Sequence, residues 1–179
     1  MATRDAPAAV LEALVAYFAA AIPSIAVLRG WPETDTALDL AARPVLAVMQ
    51  AGAVEDNGNQ VGSLGRVSST TMRYRTGLVS IPLQLDLWAG TREGMDAAVL
   101  AVEAALSNDL PWRPYLYLTA TAYDAQPFAL IYEGDAPDVD GDSAVAGEYR
   151  HTWSARAEIE RTATVPMAAV VTLTTPTTL

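Results

Sequence analysis

Four aspartates in one stretch come closest to a chemical site in this sequence. They are Asp135, Asp138, Asp140 and Asp142. The last three stand at alternate positions, as carboxylate ligands do in a calcium-binding loop. Gly141 comes too early for such a loop, however, and no glutamate follows where the bidentate ligand belongs. The sequence therefore predicts a solvated acidic loop over residues 133–147, with Asp138, Asp140 and Asp142 as the alternative candidates for a metal site.

The single histidine, His151, does not stand in a catalytic motif. A histidine acts as a general base beside a carboxylate and a nucleophile, and no motif places either of them near it. It lies between Tyr149 and Trp153 on the apolar side of an alternating segment, which is typical of a packed or interface histidine. Segment 62–65 lacks the lysine of a phosphate loop, and Ser63 is not set in a nucleophile elbow. We therefore predict no catalytic residue, no cofactor and no enzymatic activity.

Composition and charge exclude several other functional classes. The chain of 179 residues has a net charge of −10 and no cysteine, which excludes disulfides, thiolate catalysis and zinc held by sulfur. Its 11 basic residues are spread along the sequence, without the basic stripe of a nucleic-acid-binding protein. Arg73 and Arg75 could contact a phosphate, or they could form a surface pair with Glu55 and Asp56 across a hairpin. No apolar run reaches the length of a membrane span, so we expect a soluble protein made in a cytoplasm.

Residues 78–106 contain the two clearest periodic patterns, and the other elements are placed relative to them. Alternating apolar residues predict a strand with one buried and one solvated face; they are Val79, Ile81, Leu83, Leu85 and Leu87. Apolar residues three and four apart then predict an amphipathic helix; they are Met95, Ala98, Val99, Val102, Ala105 and Leu106. Thr91 is the expected N-cap, and Glu93 lies in the first turn, where its negative charge interacts favourably with the helix dipole.

The remaining sequence predicts one more helix and several strands. Asp5 and Pro7 begin the first helix and Pro23 ends it. Short strands follow at 25–29 and 44–50, and then a mobile loop or hairpin tip at 51–66. Residues 67–76 continue into the main strand through a bulge or corner at Gly77, so that 44–50 and 67–87 form a long antiparallel hairpin. Further strands are expected at 115–123, 128–132 and 148–160.

These elements predict an α+β fold, with a mixed, mainly antiparallel sheet packed by two helices on one face. We expect a single domain over 1–164 and an extended arm over 165–179 that adds to a sheet edge, in this or a neighbouring subunit. Trp31 is either a core aromatic residue or an anchor at a subunit interface. The candidate interface residues are Trp31, Asn57, Arg73, Arg75, Val170, Val171 and Leu173.

The order of these elements resembles that of the tail terminator, or tail completion, proteins of tailed bacteriophages. In that family an apolar alternating strand ending in Trp or Tyr leads through a short Thr/Ser-Arg-Glu turn into an alanine-rich helix. The matching residues here are Leu83, Leu85, Leu87, Trp88, Thr91, Arg92, Glu93, Ala97, Ala98, Val102, Ala105 and Leu106. The resemblance covers most of the chain by element order and about 30 residues by motif.

The resemblance implies a structural virion protein at the junction of tail and neck, assembled in the host cytoplasm. Members of the family form a homohexameric ring that caps the finished tail tube and joins it to the head-side connector. The implied partners are further copies of the chain, the tail tube protein and the connector or neck protein, with no membrane. A strongly acidic ring would also repel DNA phosphates, so the genome could pass through the lumen without specific binding.

Two alternatives stay open from the sequence. A neck or head-closure adaptor, or another protein associated with the tail tube, belongs to the same structural class. A small α+β domain that binds a metal or a small ligand through Asp138, Asp140 and Asp142 belongs to a different class. Mass in solution and calcium binding distinguish the two classes.

Overall fold

A computed structural model describes residues 6–30, 39–40, 42–57, 62–68, 70–107, 115–120, 126–135 and 149–166. These residues form two α-helices and eight β-strands. The helices are α1 (Ala6–Ala21) and α2 (Arg92–Leu106). The strands are β1 (Ala26–Arg29), β2 (Val45–Gln50), β3 (Glu55–Asn57), β4 (Gly62–Ser68), β5 (Thr71–Ala89), β6 (Tyr115–Ala120), β7 (Gln126–Asp135) and β8 (Tyr149–Pro166). Neither of these two helices has the length and apolarity needed to cross a membrane.

All eight strands belong to one sheet. Its main path is β1-β2-β5-β8-β7-β6, and β3 and β4 pair with β5 beside this path. Only the β1–β2 pairing is parallel among the described strands, and every other pairing is antiparallel. The predicted α+β class, with a mixed and mainly antiparallel sheet, is therefore confirmed.

The sheet is built on the long pairing of β5 with β8. The two strands are in register from Thr71 opposite Pro166 to Ala89 opposite Tyr149, with one irregularity between Arg75 and Gly77. The bulge or corner predicted at Gly77 is thus confirmed. A strand of 19 residues is about 60 Å long. The other edge of β5 is occupied in turn by β2, β3 and β4, which pair with successive portions of it.

The hydrophobic core lies between one face of the sheet and both helices, as predicted. The predicted apolar side of β5 is buried, and so are Trp153, Ala155, Ala157 and Ile159 on β8. Helix α1 contacts β1 and β2 near one edge of the sheet and β6 at the opposite edge, so it spans the width of the sheet. The helices contribute Val10, Leu14, Phe18, Met95, Ala98 and Val102, among other residues, to the same cluster.

Helix α2 is held at both ends by hydrogen bonds. At its start the Thr91 side chain accepts a hydrogen bond from the Gly94 backbone N–H at 3.1 Å, and Glu93 occupies the first turn, so the predicted cap is confirmed. At its end the Tyr17 hydroxyl of α1 donates to the Ala105 carbonyl oxygen at 2.7 Å. This bond joins the two helices where the last turn of α2 has carbonyl groups without partners inside the helix.

The long hairpin was predicted with its tip in the wrong place. Residues 51–66 were expected to form a mobile loop or tip, and 67–76 to start the returning strand. Instead β3 and β4 extend the first arm along β5, and the chain turns between Ser68 and Thr71. The polar and glycine-rich composition of 51–66 reflects exposure on both faces of β4 and not the absence of a strand.

The ends of two strands also differ from the prediction. β7 was expected at 128–132 but continues to Asp135, past an irregularity between Tyr132 and Gly134, where Gly134 has a φ of 121° that favours glycine. β8 was expected at 148–160 but continues to Pro166, so Val165 and Pro166 lie in this strand. Pairing with the start of β5 accounts for the extra length, although residues 161–164 have little apolar pattern.

Candidate interaction surface

Several predicted site residues lie outside the described residues. Asp138, Asp140 and Asp142 belong to this group, so their proposed metal site stays a prediction, as do the interface roles of Trp31, Val170, Val171 and Leu173. Within the described residues, no group of three or more histidine or acidic side chains is arranged to hold a metal ion.

Asp86 is the least expected polar residue of the structure. The alternation of β5 placed it on the solvated face, but its side chain is 0% exposed, and Ser80 on the same face is also buried. The prediction was wrong at these positions because the burial of a side chain on β5 also depends on the side chains of the strands on either side. Asp86 pairs with Ala47 of β2 on one side and with Thr152 of β8 on the other.

Three side chains supply the hydrogen bonds of the buried Asp86 carboxylate. Arg150 Nη2 donates to Oδ2 at 2.9 Å, and Thr152 Oγ1 donates to Oδ1 at 2.6 Å. Gln84 Nε2 lies 3.1 Å from both oxygens. The Arg150 guanidinium also lies 5.8 Å from the ring centroid of Trp88. A buried carboxylate satisfied in this way links β5 to β8.

His151 lies at the end of the sheet in a small cluster of polar and aromatic side chains. Its ring packs against the ring of Trp153, with 4.3 Å between centroids and a tilt of 59°. Its Nε2 is 3.4 Å from Asp135 Oδ1, and that oxygen accepts a hydrogen bond from the Tyr132 hydroxyl at 3.0 Å. Partial burial, together with the Asp135 carboxylate, raises the pKa of Tyr132 to about 12. The phenol hydroxyl thus acts as a donor to Asp135.

The predicted arginine pair lies on a part of the sheet that the core does not use. Arg75 forms an ion pair with Glu160, and Arg73 Nη2 donates to Thr162 Oγ1 at 3.2 Å. The expected pairing with Glu55 and Asp56 was wrong, because β3 lies opposite residues 78–80 of β5 and β4 lies opposite residues 71–75. Asp56 instead binds Arg161 of β8, at 2.6 Å. Asn57, the remaining described interface candidate, is exposed at the end of β3.

We call this part of the sheet the extension, defined as β4, residues 71–77 of β5 and residues 160–166 of β8. Neither helix is long enough to cover it, because α2 spans about 22 Å and β5 about 60 Å. β4 is exposed along almost its whole length, and Val67 is 61% exposed. The extension is therefore a three-stranded ribbon that presents both faces to solvent.

The two faces of the extension differ in chemistry. Met72 is opposite Val165 and Tyr74 is opposite Ala163, so these four side chains share the face that continues the core side of the sheet. Thr71, Arg73, Arg75, Thr162 and Thr164 occupy the other face by the same alternation. An apolar face on a ribbon without a helix over it is a candidate interaction surface.

Sequence reasoning missed the residues at the two ends of this apolar face. Arg66 is opposite Met72, and Arg161 is opposite Gly77, so both belong to the same face as Tyr74. They are separated by long stretches of sequence, and only the strand register brings them to one surface. The single available sign was a locally high arginine content in 66–75 of an otherwise acidic chain.

The fold and this surface define the chain as an α+β protein with a projecting ribbon. No protein-family model matches its sequence, and a search of curated proteins finds no match either.

Proposed function

We propose that this protein is a ring-forming tail terminator, which caps the tail tube of a bacteriophage and joins it to the head-side connector. The observation that carries the proposal is the extension. Two strands that continue well beyond the helices leave an amphipathic ribbon, which a monomer would expose but a ring subunit can bury against its neighbour.

Two further features support the same function. The order of elements, with a long hairpin whose second arm leads through the Thr91 cap into α2, agrees with the family that the sequence resembles. The net charge of −10 suits a ring through which DNA passes, because acidic walls repel phosphates.

Light scattering after gel filtration, followed by negative-stain microscopy, tests the proposal. We expect a stable species with six times the monomer mass and a ring whose central hole admits duplex DNA. Incubation with polymerised tail tube protein should place rings at tube ends. A protein that stays monomeric at all concentrations contradicts the proposal. Rings that bind an isolated connector but never a tube end would assign the protein to the neck instead.

A further inference from the structure

The distribution of charge between the extension and the rest of the chain is strongly uneven. The extension carries four arginines, Arg66, Arg73, Arg75 and Arg161, and one acidic residue, Glu160. The rest of the chain carries seven arginines and 20 acidic residues. A basic ribbon on an acidic body attracts the body of another copy and disfavours contact between two ribbons.

One acidic surface of the body matches the apolar face of the extension. The outer side of α2 is exposed at Glu93, Asp96, Leu100 and Glu103, which are spaced at three- and four-residue intervals and form one stripe. Leu100, near the middle of this stripe, is 68% exposed, the highest value among the large hydrophobic side chains of the described residues. An exposed leucine flanked by carboxylates is complementary to apolar side chains flanked by arginines.

The dimensions of the two surfaces also agree. Arg66 lies opposite Met72, and Arg161 lies opposite Gly77. These two positions of β5 are five residues apart, which is about 17 Å along the strand. Glu93 and Glu103 are ten residues apart on α2, which corresponds to about 15 Å. Tyr74 lies between the two arginines along β5, and Met72 and Val165 are level with Arg66 on the neighbouring strands. Leu100 likewise lies between the carboxylates of its stripe.

The extension cannot reach the α2 stripe of its own chain. β5 runs from the extension towards the turn at Thr91, so the extension leaves the core at the opposite end of this strand from the start of α2. The α2 stripe is also on the side of the helix that faces away from the sheet, since Met95, Ala98 and Val102 face the core. Contact therefore requires a second copy.

We infer that the apolar face of the extension in one copy docks on the outer face of α2 in the next copy. Arg66 contacts the α2 carboxylates, and so does Arg161, which keeps its ion pair with Asp56 of its own chain. Met72, Tyr74 and Val165 cover Leu100. The contact joins two different surfaces, so it is head-to-tail, and repetition of it closes a ring when the rotation allows. This inference deepens the proposed function and rests on self-association of the chain.

Charge reversal tests both sides of the contact. We expect Arg66→Glu/Arg161→Glu and, separately, Asp96→Arg/Glu103→Arg to raise the dissociation constant of the ring at least about tenfold, because like charges then meet. The matched control is Arg73→Glu/Arg75→Glu on the opposite face of the same ribbon. It changes the net charge equally and also breaks one ion pair within the chain, as Arg161→Glu does, and it should leave the ring intact. Combining the two reversing pairs in one chain restores opposite charges and should restore the ring.

Sedimentation velocity measures the mass, with circular dichroism showing that each variant is folded. Wild-type association should weaken from about 0.05 M to about 0.5 M NaCl, because salt screens exposed charges. A ring that survives Arg66→Glu/Arg161→Glu, equal loss in the control, or no rescue in the combined variant overturns the inference and leaves the proposed function standing. A wild-type monomer at every salt concentration overturns both.

One competing role for these arginines has a distinct outcome. Arginines beside a tyrosine could bind a nucleic acid backbone. If wild-type protein binds a labelled duplex at low salt, and Arg66→Glu/Arg161→Glu loses this binding while the mass stays unchanged, the arginines belong to a nucleic-acid site and the inference is overturned.

Discussion

At the scale of single residues, polar groups on the sheet stabilise strand pairing. The Asp86 carboxylate receives hydrogen bonds from β5 itself and from β8. Removing one member of a buried charged cluster leaves its partners without compensation, which costs more free energy than the net contribution of the intact cluster.

Asp86→Ala should therefore lower the free energy of unfolding by about 3 kcal/mol, which chemical denaturation can measure. The control is Glu12→Ala, which breaks an exposed pair with Arg29 and should cost less than about 1 kcal/mol. Equal effects in the two variants would contradict the role of Asp86 in joining β5 to β8.

The raised pKa of Tyr132 predicts that the stability of the protein depends on pH, and the direction of the pKa shift determines the sign of this dependence. Its pKa is raised from 10.0 to about 12, so the folded state holds the phenolic proton more tightly than the unfolded state does. The contribution of this proton to the free energy of unfolding is fully present below pH 10, and it is lost as the pH rises from 10 to about 12.

An ultraviolet titration of the folded protein should show a late step from Tyr132 with a midpoint near 12. Tyr132→Phe should remove this step, and Asp135→Asn should move it towards 10.0 because the negative acceptor is gone. A late step that persists in Tyr132→Phe would assign it to another tyrosine.

At the scale of elements, α2 is positioned by its ends as much as by its apolar stripe. The Thr91 cap fixes where the helix begins, and the bond from Tyr17 to the Ala105 carbonyl fixes its end relative to α1. The exposed stripe with Leu100 is a consequence, because the side that faces the core determines the side that faces outward.

The cap of α2 predicts a coupled effect of two substitutions. Thr91→Ala should cost about 1 kcal/mol of stability. A methyl group at Gly94 would lie 2.9 Å from Thr91 Oγ1, so Gly94→Ala should disturb the cap. This substitution should therefore stabilise the protein by less than the roughly 1 kcal/mol by which alanine is favoured over glycine in a helix.

Gly94→Ala should stabilise the protein more in the Thr91→Ala background, because the oxygen that the new methyl group would crowd is absent there. A double-mutant cycle by thermal or chemical unfolding measures this coupling. Additive effects of the two substitutions would show that the methyl group and the cap coexist.

At the scale of the whole molecule, the sheet serves two purposes along one pair of strands. The half of β5 next to α2 is buried between helix and neighbouring strands, whereas the half next to β4 forms the extension. The separation explains how a chain of this size can have a full core and still expose a long ribbon.

Removing residues 167–179 should weaken ring formation and leave the subunit folded. The buried core of the described residues ends at Ile159, so the truncated chain keeps every side chain of that cluster. Unfolding curves at high salt test the subunit, and sedimentation at low salt tests the ring. A truncated chain that unfolds would show that the arm belongs to its own sheet.

The predictable part of the fold is the part with one dominant periodicity. The apolar alternation of β5 and β8, the stripe of α2 and its Thr91 cap were all predicted, because each depends on residues close together in sequence. The hairpin tip was misplaced, because β4 has a polar and glycine-rich sequence whose pairing is decided by β5.

By itself, the sequence determined the fold class, the core faces of the main elements and the acidic character of the chain. Only the tertiary structure decided that Asp86 is buried, and that Arg66, Tyr74 and Arg161 share one face opposite the face of Arg73 and Arg75. The physical reason is that side-chain periodicity within an element is local, whereas burial and shared surfaces depend on strand register between segments far apart in the chain.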